Sequence, residues 1–305
     1  MFSYIARRAV SGFITLLGVV VVVFFLSRLT GSPIDLYLPE GADAAQIEAF
    51  KIAYGLDKTI FEQFAVFVQN MAHGDFGVSI WQQRPAMEAV LSEMPLTLLL
   101  AAIAMSISIV IAIILGSLAA VYRFGLIDRL VTFLSLVTSS LPHFWFALVG
   151  ILIFAVQLRL LPTSGSGSWL SWILPVATVS IGPIGVLTQI VRGAMIDVLS
   201  SGYIRNARAR GFGGKRIVFR HALRNAALPI ISVAGDIAAG MVNGAVIVSV
   251  VFAFPGIGRL IVGAILNRDF PVLQASILVI GIAVIVLNLV IDLICTIVDP
   301  RIRLN

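Results

Sequence analysis

The sequence has 305 residues, 59% of them hydrophobic and 12% charged, whereas a soluble domain carries about 25% charged residues. That composition excludes a water-soluble globule and calls for lipid as solvent. The formal net charge of +6 would suit nucleic acid, but its distribution along the chain argues against it. The single cysteine, Cys295, lies inside an apolar run, so it forms no intrachain disulfide and defines no metal cluster.

The first apolar run, Ala9 to Leu26, follows Arg7 and Arg8 and so looks like a secretory signal. It is longer than the roughly 7 to 15 residues of a signal core, and no A-x-A-like site follows; it reads as a retained first helix reaching Leu29. Next comes a 66-residue segment, Thr30 to Pro95, with nine acids against Lys51, Lys58 and Arg84. Within it, Asp43 to Tyr54 and Thr59 to His73 read as helices, one opened by an Asp cap and the other by a Thr cap. Phe61, Phe64, Phe67 and Val68 recur at helical spacing and can bury a face. Gly74, Asp75, Phe76, Gly77 and Ser79 read as a turn, so the segment is a structured lobe.

Five more apolar runs follow: Leu96 to Tyr122, Leu130 to Leu158, Leu170 to Val191, Leu228 to Phe254 and Val272 to Val298. A hydrocarbon core about 30 Å thick needs about 20 residues of helix. Barrel strands would show about ten alternating residues instead. The expected fold is therefore an all-α integral membrane protein with six transmembrane helices. Pro142, Pro175, Pro183 and Pro229 fall within or at the edge of these spans and mark places for kinks. Ser164 to Ser168, SGSGS, reads as an external turn.

With six spans, the N-terminal end, the links after spans two and four, and the C-terminus share one side. Those segments hold 14 basic and 3 acidic residues, eight of the basic ones between Arg192 and Arg224. Basic loops resist translocation, so both termini are expected in the cytoplasm. The organisation that results is an N-terminal end and first helix over residues 1–29, an external lobe over 30–95, and a membrane core over 96–305. The core contains a basic cytoplasmic loop at about 192–227.

Catalytic motifs are missing from the sequence. The stretch Gly211 to Arg216 lacks both the first glycine and the final Ser or Thr of a phosphate-binding loop. With no catalytic residues and no metal site, uphill movement would draw energy from an ion gradient or a partner. Asp236, Gly240, Asn243 and Gly244 lie along one side of span five. Such a face lines a pathway, or packs helices through the GxxxG pair. Asp292 with Asn288, and His143 beside Pro142, read as structural. The loop from Tyr203 to Ala227 reads as a short helix, a glycine break and a second helix. On composition it is either a topological, lipid-facing signal or a docking device.

The order of residues in that loop decides between them. Tyr203, Arg205, Ala207, Arg208, Ala209, Gly211, His221 to Ala226, Leu228 and Pro229 resemble the cytoplasmic loop of the dipeptide, oligopeptide and nickel permease family of ABC importers. Leu56-Asp57-Lys58, Gly74-Asp75-Phe76-Gly77-x-Ser79, Pro95-x-Thr97-Leu98, Leu161-Pro162, Phe254-Pro255-Gly256-x-Gly258-Arg259, Asp269-x-Pro271 and Asp299-Pro300-Arg301-x-Arg303 are similar to its first permease subunit. In importers at large the loop holds E-A-A-x-x-x-G. Here Arg205 and Asn206 replace the first two residues, as basic forms do in the peptide branch.

The resemblance implies a type I ABC importer permease fold with a large external loop after helix 1, in a bacterial inner membrane. It implies a permease for short peptides, or a related solute such as glutathione or a nickel chelate, and not an enzyme. The expected partners are a homologous second permease, two cytoplasmic ATPases that bind the ATP and Mg, and an external substrate-binding protein. The chain itself would bind no cofactor. Coupling to the ATPases is carried over to Tyr203, Arg205, Ala207, Arg208, Ala209, Arg210, Gly211 and Phe212, with Ala207 and Ala209 permitting close approach. Pathway lining is assigned to Asp236, Gly240 and Asn243, and external docking or gating to the lobe with Asp57, Gly74, Asp75, Phe76 and Gly77. The rival class is an ion-coupled secondary transporter or channel, for which Asp236 and Asp292 are the only ligand candidates.

Overall fold

The computed structural model describes residues 2–29 and 31–298, and among these it is helical apart from turns and one isolated β-bridge, Val78 with Pro85. The Asp299 to Arg303 motif lies outside the described residues. Five helices are long and apolar enough to cross a bilayer: α1 (Phe2–Leu29), α5 (Ala86–Val121), α8 (Leu170–Leu199), α11 (Leu223–Val251) and α13 (Phe270–Val298). Between α5 and α8 stand α6 (Leu126–Ser140) and α7 (His143–Gly150), the latter running on as a π-helical stretch, Ile151–Gln157.

These two correct the third expected span. In place of one helix over Leu130 to Leu158, the chain bends by 100° between Ser140 and His143, and six spans result only if the bent pair counts as one. Pro142 bars its predecessor from the helical region, and Leu141 is accordingly extended at φ −91°, ψ 140°. The hydroxyls of Ser139 and Ser140 both donate to the Leu136 carbonyl, at 3.1 and 2.7 Å, closing the last turn of α6. Pro95, Pro175, Pro183 and Pro229 stay inside continuous helices. The second span also starts earlier than expected, at Ala86 and not Leu96.

The chain divides into two compact units, 97–254 with 286 onward, and 2–96 with 255–285. In the first, α8 is central. Leu187, Val191 and Met195 are buried with Ala112 of α5 and with Ala226 and Ile230 of α11. Small residues allow this closeness. A Cβ on Gly185 would stand 2.5 Å from the Ser135 carbonyl oxygen of α6. Ser108 donates to the Ala104 and Ser180 carbonyls at 2.7 and 3.3 Å, while Ser180 donates back to Ala104 at 3.2 Å.

The second unit contains α2 (Ile34–Tyr37), α3 (Ala44–Ala53), α4 (Ile60–Ala72) and α12 (Ile257–Leu266). Asp43 and Thr59 cap α3 and α4 in capping boxes with Gln46 and Glu62, as their spacing predicts. The bonds from the Thr59 backbone N–H and hydroxyl hold the Glu62 carboxyl below its usual range. Fully buried Phe24 meets Phe64 and Phe67 at 5.0 and 5.2 Å between centroids, and Phe67 meets Phe76 at 6.1 Å. The apolar face expected on α4 is thus only half used for packing. Phe64 and Phe67 are half-buried, but Phe61 and Val68 are exposed.

Two distant motifs meet at Asp269. Its buried carboxylate accepts the Ser79 hydroxyl at 2.5 Å, the Trp81 N–H at 3.1 Å and the Val272 N–H at 3.3 Å. Losing that acceptor would leave three buried or half-buried donors unpaired. Asp269→Ala is expected to lower stability by about 3 kcal/mol, and Asp269→Asn by less, as read by thermal unfolding of the purified protein in detergent.

Candidate functional site

The basic loop forms α9 (Gly202–Ala209), α10 (Gly214–Arg216) and a π-helical turn, Ile217–Ala222, leading into α11. α9 ends as its sequence requires. Gly211 takes φ +78°, its N–H donates to the Arg208 carbonyl at 2.9 Å, and the Phe212 N–H reaches the Ala207 carbonyl at 3.3 Å, a Schellman cap. α9 is amphipathic. Ile204 and Ala207 are buried, and Ile204 and Ile217 join the core around α8. Tyr203, Arg205, Arg208, Ala209 and Arg210 are exposed.

The expectation that Ala207 permits a partner's approach is therefore corrected: it faces the chain's own interior, and only Ala209 lies on the outward face. The structure also adds Phe219, 63% exposed on the π-helical turn, which sequence reasoning missed. Its signal was a lone aromatic among Arg216, Arg220 and Arg224.

The two arms of the loop are clamped together. Tyr203 Oη lies 2.8 Å from His221 Nδ1, the Phe212 ring stacks on His221 at 5.2 Å, and the Arg216 guanidinium sits 4.8 Å over Phe212. Asn225 Nδ2 donates to the His221 carbonyl at 2.9 Å. At the base of the loop, Asp128 in the first turn of α6 grips Arg192 of α8 with both oxygens, at 2.5 and 2.9 Å, and accepts the Phe124 N–H at 2.9 Å. This bidentate pair was not foreseen, although Asp128 is the one acid between the second and third apolar runs of the sequence.

On α11 the polar face is real and open. Ser232, Asp236, Gly240 and Asn243 are exposed, while Ala234, Gly235, Met241, Val242 and Ala245 on the other side are buried. A Cβ on Gly240 or Gly244 would meet nothing within 4 Å, so the GxxxG pair packs no helix among the described residues. Both glycines line a cavity of about 290 Å³ together with Ser139, His143, Gly182 and Met241. His143 is placed by packing: its ring lies against Gly182, with Nδ1 3.4 Å from the Thr178 carbonyl.

The second unit takes Phe76 off its surface. That ring is buried with Val90, Met94, Ile257 and Val272. Asp75 is committed to the turn through the Gly77 N–H at 2.8 Å, and Asp57, Gly74, Asp75 and Gly77 are exposed. Among the described residues no three His, Cys, Asp or Glu side chains converge to hold a metal.

Comparison with known proteins bears on the whole chain. The profile of the binding-protein-dependent transport system inner membrane component family matches residues 108–304, and that of its membrane component N-terminal region matches residues 1–101. The dipeptide transport system permease protein DppB of Lactococcus lactis is 35% identical over 306 residues, covering 100% of both chains. The oligopeptide transport system permease protein AppB of Bacillus subtilis is 35% identical, covering 99% of this chain and 100% of its own. The glutathione transport system permease protein GsiC of Escherichia coli K12 is 36% identical, covering 99% of each. Among solved structures, an inward-facing MetNI methionine ABC transporter chain superposes with TM-score 0.62 at 19% identity, over 70% of this chain and 97% of that one. The likeness is one of fold.

The clamp has a measurable consequence. Tyr203→Phe removes the hydroxyl that holds the two arms together, and His221→Ala removes the stacking as well. Native-state proteolysis or amide exchange of residues 202–225 should accelerate by about tenfold in His221→Ala and by less in Tyr203→Phe, with the exchange of the α8 core unchanged.

Proposed function

The chain belongs to the binding-protein-dependent transport system inner membrane component family, and from that footing we propose that it is the first permease subunit of an ATP-driven importer of short peptides. It forms half of the translocation pathway, with a homologous permease supplying the other half. The peptide and glutathione permeases to which it is similar over nearly its whole length support this substrate class. Both termini lie in the cytoplasm of a bacterial inner membrane, as the basic links favour.

The observation that carries the reading is a pair of unpartnered surfaces on one unit. The α11 stripe of Ser232, Asp236, Gly240 and Asn243 is open on a bilayer-spanning helix. An aspartate at the centre of such a helix costs about 2.5 to 3.5 kcal/mol against lipid, so the stripe faces water or a second permease. The other surface is the exposed basic face of α9 with Tyr203 and Phe219. Arg205, Arg208 and Arg210 offer guanidinium forks to carboxylates of a cytoplasmic ATPase, and the two aromatics add anchor area.

The mechanism follows from how the loop is held. When ATP binding draws two ATPases together, α9 moves with the subunit on which it is seated. The Tyr203–His221–Phe212 clamp passes that displacement to α11, and the buried Ile204 and Ala207 pass it to the core around α8. The helices then exchange inward-open and outward-open states, while a loaded binding protein docks on the external lobe. ATP and Mg belong to the partners.

Charge reversal tests this without touching the core. Arg208→Glu combined with Arg210→Glu should assemble in the membrane at normal levels yet reduce peptide uptake and substrate-stimulated ATP hydrolysis by about tenfold or more, measured in proteoliposomes. Unchanged uptake would remove the loop from the mechanism.

A further inference from the structure

The second unit holds a cavity of about 400 Å³ to which the transport mechanism assigns no task. Its walls bring together Arg28 at the end of α1, Lys58 before α4, Phe67 on α4, Asp75 in the following turn, and Phe270 and Gln274 on α13. Two of these are chemically incomplete.

Arg28 is held in place by neutral groups. Its guanidinium lies 3.5 Å over the Phe24 ring, with Nε donating to Gln63 Oε1 at 3.0 Å and Nη1 to the Phe24 carbonyl at 3.1 Å. Among the described residues no carboxylate pairs with it. Gln274 is only 6% exposed, and its Nε2 has no hydrogen-bond partner. A buried amide without an acceptor is unfavourable by roughly 1 to 3 kcal/mol, and folded proteins keep such groups where something else completes them. A guanidinium and a carboxamide on one cavity wall are the donors that a carboxylate takes.

The rest of the wall narrows the ligand. Phe67 and Phe270 offer apolar surface, and exposed Asp75, which spends Oδ1 on the Gly77 N–H, presents an acid to an ammonium group. The volume is near the lower end of the roughly 300 to 1,000 Å³ of small-molecule sites, too small for a folded segment.

We propose that this cavity binds a small zwitterion, an α-amino acid or dipeptide with an apolar side chain, its carboxylate on Arg28 and Gln274 and its ammonium toward Asp75. Occupancy completes the buried amide and ties the end of α1 to α4 and α13. None of its lining residues belongs to the α11 stripe or to the basic loop.

The test uses the complete transporter in nanodiscs, without nucleotide or binding protein, so a failure of transport cannot imitate a failure of binding. The probes are alanyl-phenylalanine, its C-terminal amide and its N-acetyl form, titrated calorimetrically. The free dipeptide should bind saturably, and each blocked form about tenfold more weakly. Gln274→Leu should weaken the dipeptide about tenfold while keeping or raising the unliganded melting temperature, because the orphaned amide is gone. Asp75→Asn, at the surface, should abolish the preference over the N-acetyl form. The proposal is overturned by absence of saturable binding, by equal binding of free and blocked peptides, by affinity and preference indifferent to both substitutions, or by an occupant found only when the binding protein is present.

Discussion

A helix that crosses hydrocarbon cannot leave a carboxylate and a carboxamide facing it, and α11 carries both, Asp236 and Asn243, on a stripe that nothing in its own unit covers. The opposite side of the same helix is thoroughly buried through Ala234, Gly235, Met241 and Ala245, so rotating it would only drive Asp236 and Asn243 into an apolar core. The stripe is therefore a fixed demand for water or for another protein. The proposed role as half of a pathway meets it, and under that proposal the other features of this unit serve to move the stripe.

Movement needs a handle and a rigid connection. In the proposed mechanism the handle is α9, short and basic on its outward side, apolar where Ile204 and Ala207 enter the core. The connection is built from weak pieces that act together: a Schellman cap at Gly211, a tyrosine–histidine hydrogen bond, two stacked rings and a guanidinium above them. At the base, the Asp128–Arg192 pair satisfies a half-buried guanidinium with both carboxylate oxygens. Removing one partner of such a pair is far more damaging than the net worth of the pair suggests, so it fixes geometry more than it adds stability.

Much of this was legible in the residues, for reasons that differ from place to place. Apolar length revealed α1, α8, α11 and α13 because backbone hydrogen bonding in lipid leaves few alternatives. Asp43 and Thr59 revealed α3 and α4 because a cap is a local, one-turn interaction. The bend at Pro142 was underestimated: a proline within an apolar run permits either a kink or a break, and the choice here goes with side-chain bonds from Ser139 and Ser140 to Leu136. The Asp128–Arg192 and Ser79–Asp269 contacts join residues 64 and 190 apart, beyond the reach of any periodicity. Ala207 was misjudged because a small residue suits close approach equally well on the inside and the outside of a helix.

The claim on which the account turns is that the loop over residues 202–225 lies in the cytosol, where an ATPase can seat on it. Its most direct test is a single reporter thiol, Arg208→Cys, in a background where the sole native cysteine is changed by Cys295→Ser. A membrane-impermeant maleimide should leave this thiol unmodified in intact cells and label it in inside-out vesicles, with the partner ATPases shielding it when they are present. Labelling in intact cells, or reactivity in vesicles that the ATPases do not alter, would contradict the account.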